Sequence, residues 1–393
     1  MPAEMAPPKK YVTSKGEVRY EVRYRNLDNR STRQRGFTTL KAAEKWALDN
    51  ANRLAMGSHI PASAQRKLAG HFVETYINRT ATIRPTTAAS RTSTARTWVL
   101  PTWANRPVGR IDQDGVKAWV EELHQQGVSA ATIEKAVGVL RGSLALAVSS
   151  KALASNPVVG IKLPEQVRRD NAYLTAEQVA HLVSHAGRQA LLVSFLAYTG
   201  LRFGEAAALR VRDLDLDAGR VRVRASVTEV NGKLVEGPPK NGKARSVPLA
   251  HFLRAPLASS VQGRSSDGLV FRAARGGPLR ANTWRSRDFA AAVRAAQGAA
   301  PYDKPLPTLV PHDLRHTAAS LAVQAGANVK VLQRMLGHAK ASMTLDVYAD
   351  LFDTDLDEVV AALAPGAQAS GIAALLRPAG NRELPTPRAP GDS

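Results

Sequence analysis

The chain has 393 residues, no cysteine, and 54 Lys plus Arg against 33 Asp plus Glu, a net charge of +21. That length exceeds one ordinary domain, so two or three units with their own cores are expected. The missing thiols exclude disulfides, thiolate metal sites and cysteine nucleophiles, while the charge points to a polyanion, because each cation that neutralises a phosphate releases a condensed counterion.

The opening "MPAEMAPPKK" has no apolar core for a signal peptide, and no later run approaches a membrane span. A cytoplasmic protein with a nucleic-acid partner and no membrane partner is the expectation. The positive excess runs through the chain until residues 351–393, which hold 3 basic against 6 acidic residues, so the anion-binding surface should lie upstream of that end.

In chain order, residues 1–62 contain "GEVRYEVRYR", where Val18, Tyr20, Val22 and Tyr24 alternate with Arg19, Glu21, Arg23 and Arg25 at the period of a strand. "LDN" supplies a turn into a second strand ending near Phe37, and "LKAAEKWALDNANRLA" reads as a helix behind the sheet. The face carrying Arg19, Arg23 and Arg25 fits either a solvated surface or a sheet laid in a DNA groove. Residues 63–168 read as helical: Ile133, Val137, Leu140, Leu144 and Val148 recur at steps of four and three after a candidate cap at Ser129, and Gly127 is placed to end the preceding helix. "SNPVVGIKLPEQVRRDN" breaks the pattern and reads as a linker.

Residues 169–365 open with a capping-box spacing at Thr175 and Gln178, and a second apolar helix stops at Gly200. "GRVRVRASV" alternates as a strand, and "GKLVEGPPKNGKARSVPL" reads as two short strands around a Pro and Gly turn; the rest is mainly helical. The fold class is therefore mainly α with small β-sheets, α+β and multidomain. Residues 366–393 are rich in Ala, Gly and Pro and are expected to form a flexible tail, although "GIAALL" could dock on a neighbour.

Two near-motifs are rejected. "GPPKNGKA" resembles a phosphate-cradling loop, but Ala244 lacks the hydroxyl that would hold magnesium, and a strand rather than a helix follows. "DLDLDAG" begins like a calcium loop, but Ala218 stands at its glycine position and Arg224 at its closing glutamate, so it reads as a turn. Zinc on His312, His316 and His338 is disfavoured by Arg315 among them.

"VPHDLRHTAASL" places His312, Arg315 and His316 within one helical turn, so these groups could converge on an anion. With it stand "TGLRFGE" (Arg202, Glu205), "KNGKARSVPL" (Lys240), "LGH" (His338) and "TLDVYADLF" (Tyr348). Alone, Arg202 would be a surface cap and Tyr348 a packing residue; His316 is read as a packed helix histidine. In this order over about 150 residues, the set resembles the tyrosine recombinases of the phage integrase family.

The resemblance implies a site-specific DNA recombinase that cleaves and rejoins strands through a 3′-phosphotyrosyl intermediate. Arg202 and Arg315 would hold the phosphate, since a metal-free site must supply fixed positive donors for the growing charge and arginine keeps its proton. Tyr348 would be the nucleophile, His312 its base, Lys240 the general acid on the leaving 5′ oxygen with Lys243 the competing choice, and His338 a residue on the phosphate or the tyrosine. Glu205 would orient neighbouring His or Arg residues. Tyr348 lies ten residues after His338 where the family more often has nine, so an extra residue must be absorbed in "AKASM".

The family also implies an arm-type DNA-binding domain at residues 1–62, a core-site DNA-binding domain at 63–168 and the catalytic domain at 169–365. Lys243 and Arg245 join Arg19, Arg23 and Arg25 as DNA-binding candidates. No cofactor or metal is implied. The partners would be double-stranded DNA and a homotetramer, with a DNA-bending host factor and an excisionase in support. The acidic "DTDLDE" could carry protomer contacts or be a solvated face. A type IB topoisomerase and a DNA-binding protein without catalysis remain alternatives.

Overall fold

The computed structural model describes residues 6–25, 31–55, 60–166, 169–299 and 306–349. The tail at 366–393 with "GIAALL", and the acidic "DTDLDE" at 353–358, lie outside them. The chain divides into two compact units, residues 1–169 and 170–393. Among the described residues no helix is long and apolar enough to cross a membrane.

The first unit begins with an antiparallel sheet of β1 (Lys9–Val12), β2 (Val18–Arg25) and β3 (Ser31–Phe37), backed by α1 (Leu40–Ala55). β1 adds a strand to the two expected; "KKYV" is too short and polar to announce itself. Trp46 of α1 packs its ring 5.4 Å from Tyr24 and 5.6 Å from Phe37, which fixes the helix on the sheet. The simple alternation fails at one place, because a bulge between Tyr20 and Glu21 turns Glu21 inward beside Val22. The buried carboxylate accepts from Arg35 Nε at 2.7 Å and Arg23 Nε at 3.3 Å.

The helical part of this unit comprises α2 (Ala62–Gln65), α3 (Ala69–Asn78), α4 (Pro85–Thr94), α5 (Leu100–Trp103), α6 (Gln113–Gln125) and α7 (Ala130–Ser149), with a π-turn at 95–99 joining α4 to α5. Ile133, Val137, Leu140 and Leu144 of α7 are fully buried against Phe72, Trp103 and Trp119, so the spacing seen in the sequence is the core-facing stripe. Gly127 sits at φ +75 just past α6. Ser129 occupies the N-cap position of α7, but its hydroxyl pairs with Thr132 Oγ1 at 2.8 Å instead of a backbone N–H.

The second unit contains α8 (Ala176–Ser184), α9 (Ala190–Thr199), α10 (Phe203–Ala207), the strands β4 (Leu214–Asp215), β5 (Arg220–Val223), β6 (Ser226–Val230), β7 (Lys233–Gly237) and β8 (Arg245–Pro248), then α11 (His251–Val261), α12 (Ala281–Thr283), α13 (Ala290–Gly298), α14 (Asp313–Gln324), α15 (Val329–Leu336) and α16 (Ser342–Tyr348). The capping box forms as the spacing predicts: Thr175 Oγ1 accepts from Gln178 N, and Gln178 Oε1 from Thr175 N. β7 and β8 do not pair with each other. β7 makes a hairpin with β6 through Asn231 and Gly232, both at positive φ, while β8 pairs with β5 in the sheet β4-β5-β8. The loop from Pro238 to Ala244 therefore crosses between two sheets.

One core, including Phe195, Leu196, Val221, Val247, Trp284 and Leu314, joins α9, the sheet and α14. A smaller cluster of Ala319, Val323, Leu332, Leu336 and Tyr348 holds α14, α15 and α16 together. That cluster positions the site.

Candidate active site

Arg315, on the first turn of α14, is only 2% exposed. Its burial is made tolerable by two helix C-termini: Nη1 donates to Gly200 O after α9, and Nη2 to Leu336 O at the end of α15, both at 2.7 Å. The partial negative charge of each helix end faces the cation. Gly200 (φ +64) and Gly337 (φ +68) close these helices in the left-handed conformation that suits glycine. The second Nη2 hydrogen goes to His338 Nε2 at 2.9 Å. Three of the five guanidinium donors are thereby spent on protein, and Nε–H and one Nη1–H make no hydrogen bond among the described residues. Burial and the nearby Arg202 charge push Arg315 down to about 9, against the pull of Glu205 and Tyr348, so it remains a cation at neutral pH.

Arg202 stands between α9 and α10. Glu205, on the first turn of α10, is 1% exposed and accepts from Arg202 N (2.9 Å), Arg202 Nη1 (3.2 Å), Arg245 Nη1 (3.0 Å) and Arg245 Nη2 (2.7 Å). Burial raises its pKa, but the Arg245 hydrogen bonds and charge, with Arg202, outweigh that and leave it lowered. Arg202 spends one side-chain donor on this carboxylate and keeps a quarter of its side chain exposed.

Arg245 departs from the expected DNA-facing position: its side chain is 9% exposed, clamped on Glu205 and bonded through Nε to Met335 O at 3.2 Å. Glu205 thus orients two arginines and no histidine.

His312, Arg315 and His316 do not converge on one point. His312 sits at the N-cap position of α14 with an exposed ring, whereas His316 is 8% exposed and its Nδ1 lies 3.0 Å from Tyr348 Oη. The two imidazoles meet edge to face at 5.0 Å. The histidine on the phenol is therefore His316, not the expected base His312. The sequence signal was only its place four residues after His312 and beside Arg315. His312 is pushed down to about 4 by the protein packed around it, then by His316, Arg315 and Arg202, with Asp313 opposing.

Tyr348 is 2% exposed at the end of α16. Burial pushes its phenol up to about 12, while the Arg315 and Arg202 charges pull the other way. Its ring lies parallel to that of His338, 8° apart in plane and 6.4 Å between centroids. Since His338 Nε2 accepts from Arg315, its Nδ1–H donates to Thr344 Oγ1 at 2.9 Å, which ties α16 to the site. Burial, then Arg315 and Arg202, push His338 down to about 4, so it is neutral at pH 7. Residues 339–341 form the short connection between His338 and the tyrosine helix α16. Thr344, fully buried, is a positioning group that sequence reasoning missed.

Lys240 is exposed at the loop between β7 and β8, whose neighbour Asn241 donates to Gly337 O at 3.1 Å and so pins the loop beside His338. Lys243, also exposed, lines a cavity of about 360 Å³ with Lys330, Arg334 and His338. In the first unit, Arg19 pairs with Glu17 at 2.7 Å and Arg23 with Glu21, while Arg25 is exposed at the end of β2.

Residues 172–355 match the phage integrase family. Tyrosine recombinase XerC of Xylella fastidiosa is 29% identical over 268 residues, covering 66% of this chain and 83% of that protein. The integrase of Mycobacterium phage D29 is 29% identical over 337 residues, 82% of this chain and 84% of that one. Among solved structures, the Tn1549 transposon integrase in complex with a circular intermediate DNA shares the fold with a TM-score of 0.65 at 21% identity, over 74% of this chain and 99% of that chain. A lambda integrase tetramer bound to a Holliday junction gives 0.58 at 19% identity, over 86% and 97%. With two arginines, a buried tyrosine and the intervening histidines assembled inside it, the segment 172–355 is a phage integrase family domain, in a chain similar to tyrosine recombinases and integrases over most of its length.

Proposed function

We propose that this protein is a site-specific DNA recombinase that integrates or excises phage or mobile-element DNA through a 3′-phosphotyrosyl intermediate. The observation that carries the reading is the placement of Tyr348 where the charges of both Arg202 and Arg315 act on its phenol, with guanidinium donors left over for a phosphate. A phosphodiester bound there would have its growing negative charge met by fixed cations.

Tyr348 Oη attacks phosphorus, the bond from phosphorus to the 5′ oxygen breaks, and Lys240 supplies the proton that this oxygen takes up. One phosphoester replaces another, so resealing by the reverse step needs no external energy source. Lys243 contacts the DNA backbone. Residues 1–62 bind arm-type sites, residues 63–168 core-type sites, and four protomers assemble on two duplexes, with a bending host factor and an excisionase governing direction.

A nicked duplex that loses its cleaved 5′ fragment tests the chemistry. The protein should become covalently attached to DNA, and Tyr348→Phe should abolish the attachment. Recombination between two marked sites then separates a recombinase from a topoisomerase, which would relax DNA without exchanging partners.

A further inference from the structure

We infer that His316 is a catalytic residue of this site, its Nδ1 holding Tyr348 Oη and receiving the phenolic proton as that oxygen attacks phosphorus. The inference rests on the function proposed above and concerns the same chemistry.

Each of the three nearby histidines is differently committed. His338 has neither nitrogen available to a phenol, since Nε2 accepts from Arg315 and Nδ1–H donates to Thr344. His312, at the helix terminus, meets the His316 ring edge to face and makes no hydrogen bond to Tyr348 among the described residues. His316 alone has a nitrogen on the reacting oxygen, at 3.0 Å, within the reach a general base needs.

The surroundings set the direction of that bond. Tyr348 is 2% and His316 8% exposed, so bulk water has little access to the phenolic proton. The charges of Arg315 and Arg202 act on the phenol, and the ring of Tyr173 lies 6.2 Å from that of His316. The phenol keeps its proton in the resting site, and in the tautomer that carries its hydrogen on Nε2, His316 Nδ1 accepts from Tyr348 Oη. During attack the Oη–H bond breaks, the Nδ1–H bond forms, the Oη–P bond replaces P–O5′, and the 5′ oxygen takes its proton from Lys240. No electrons are transferred and no further reactant is needed.

His316→Asn is the informative substitution, because the asparagine oxygen can stand near the Nδ1 position and accept a hydrogen bond but cannot take up a proton. The expected result is adduct formation on the nicked duplex slowed by roughly 100-fold or more, with DNA affinity retained and the histidine limb of the pH profile gone. Replacing the leaving 5′ oxygen by sulfur should restore a Lys240→Ala protein, because a better leaving group needs no acid, and should not restore His316→Asn. Rates within threefold of wild type with an unchanged pH profile would overturn the inference, as would restoration by the sulfur substrate. If the variant does not fold, nitrogen NMR of the unsubstituted protein decides: an unprotonated His316 Nδ1 supports the inference and a protonated one ends it. Absence of any adduct with wild-type protein would instead sink the proposed function itself.

Discussion

The carboxylate of Glu205 is shared by two arginines of opposite fate: Arg245, 2.7 Å away and 9% exposed, is locked into the protein, while Arg202, 3.2 Å away, keeps an open side for a ligand. One buried anion therefore holds the sheet, through β8, and Arg202, at the start of α10, in a fixed relation. Removing it by Glu205→Ala leaves Arg245 buried without its counter-charge, at a cost of about 3 kcal/mol or more. Chemical denaturation should show that loss. Glu205→Gln keeps the shape but cannot accept four N–H groups, and should lower adduct formation with a smaller loss of stability. Because the folded carboxyl is held below its unfolded value, its contribution is present above the unfolded pKa and fades as acid carries the pH through the lowered one.

Gly337 links the same pieces from the other side. A Cβ there would lie 2.9 Å from Arg245 Cδ and Nε, and φ is +68. Gly337→Ala should cost roughly 1–2 kcal/mol in backbone strain alone. It should also displace the Leu336 and Gly337 carbonyls that receive Arg315 and Asn241. A melting curve combined with DNA cleavage should show the activity falling further than the stability explains.

Thr344 tests whether the tyrosine helix is positioned through a single hydroxyl. Thr344→Val keeps the volume and the β-branching but removes the acceptor of His338 Nδ1–H, leaving a buried donor unpaired at about 1–3 kcal/mol. Thr344→Ser restores the acceptor and should recover most of the adduct rate, whereas valine should not. Equal rates for both would show that α16 is held by packing alone.

Much of this was legible in the sequence, for stated reasons. The stripe of Ile133, Val137, Leu140 and Leu144 and the Thr175–Gln178 box depend on spacing within one element, and periodicity reads such spacing directly. Arg202, Arg315 and Tyr348, which the structure brings together, could be singled out from short ordered motifs that need no tertiary information. What failed was tertiary. Glu21 turned inward through a bulge that alternation does not encode, and β7 and β8 found partners other than each other. Arg245 looked like any basic loop residue until Glu205 met it from another helix. The choice between His312 and His316 depends on which side of α14 faces α16, and no local pattern states that.

The protonation of His312 and His338 links stability and ligand binding to pH in opposite senses. Each folded pKa is held at about 4, below the ordinary 6.5, by burial and neighbouring arginines. The unfolded chain therefore takes up more protons between these values, so stability rises with pH from about 4 to 6.5 and levels above it. His338, half-buried, carries more of this slope than His312, whose exposed ring is screened by water. Melting temperatures across that window should show the slope, and His338→Asn should flatten it more than His312→Asn. A bound phosphate reverses the local balance, because an anion among these groups favours their charged forms. Proton uptake should therefore accompany DNA binding in this window, measurable by calorimetry in buffers of different ionisation enthalpy. The uptake should shrink in both variants, and a pH-independent affinity would mean that neither histidine faces the phosphate.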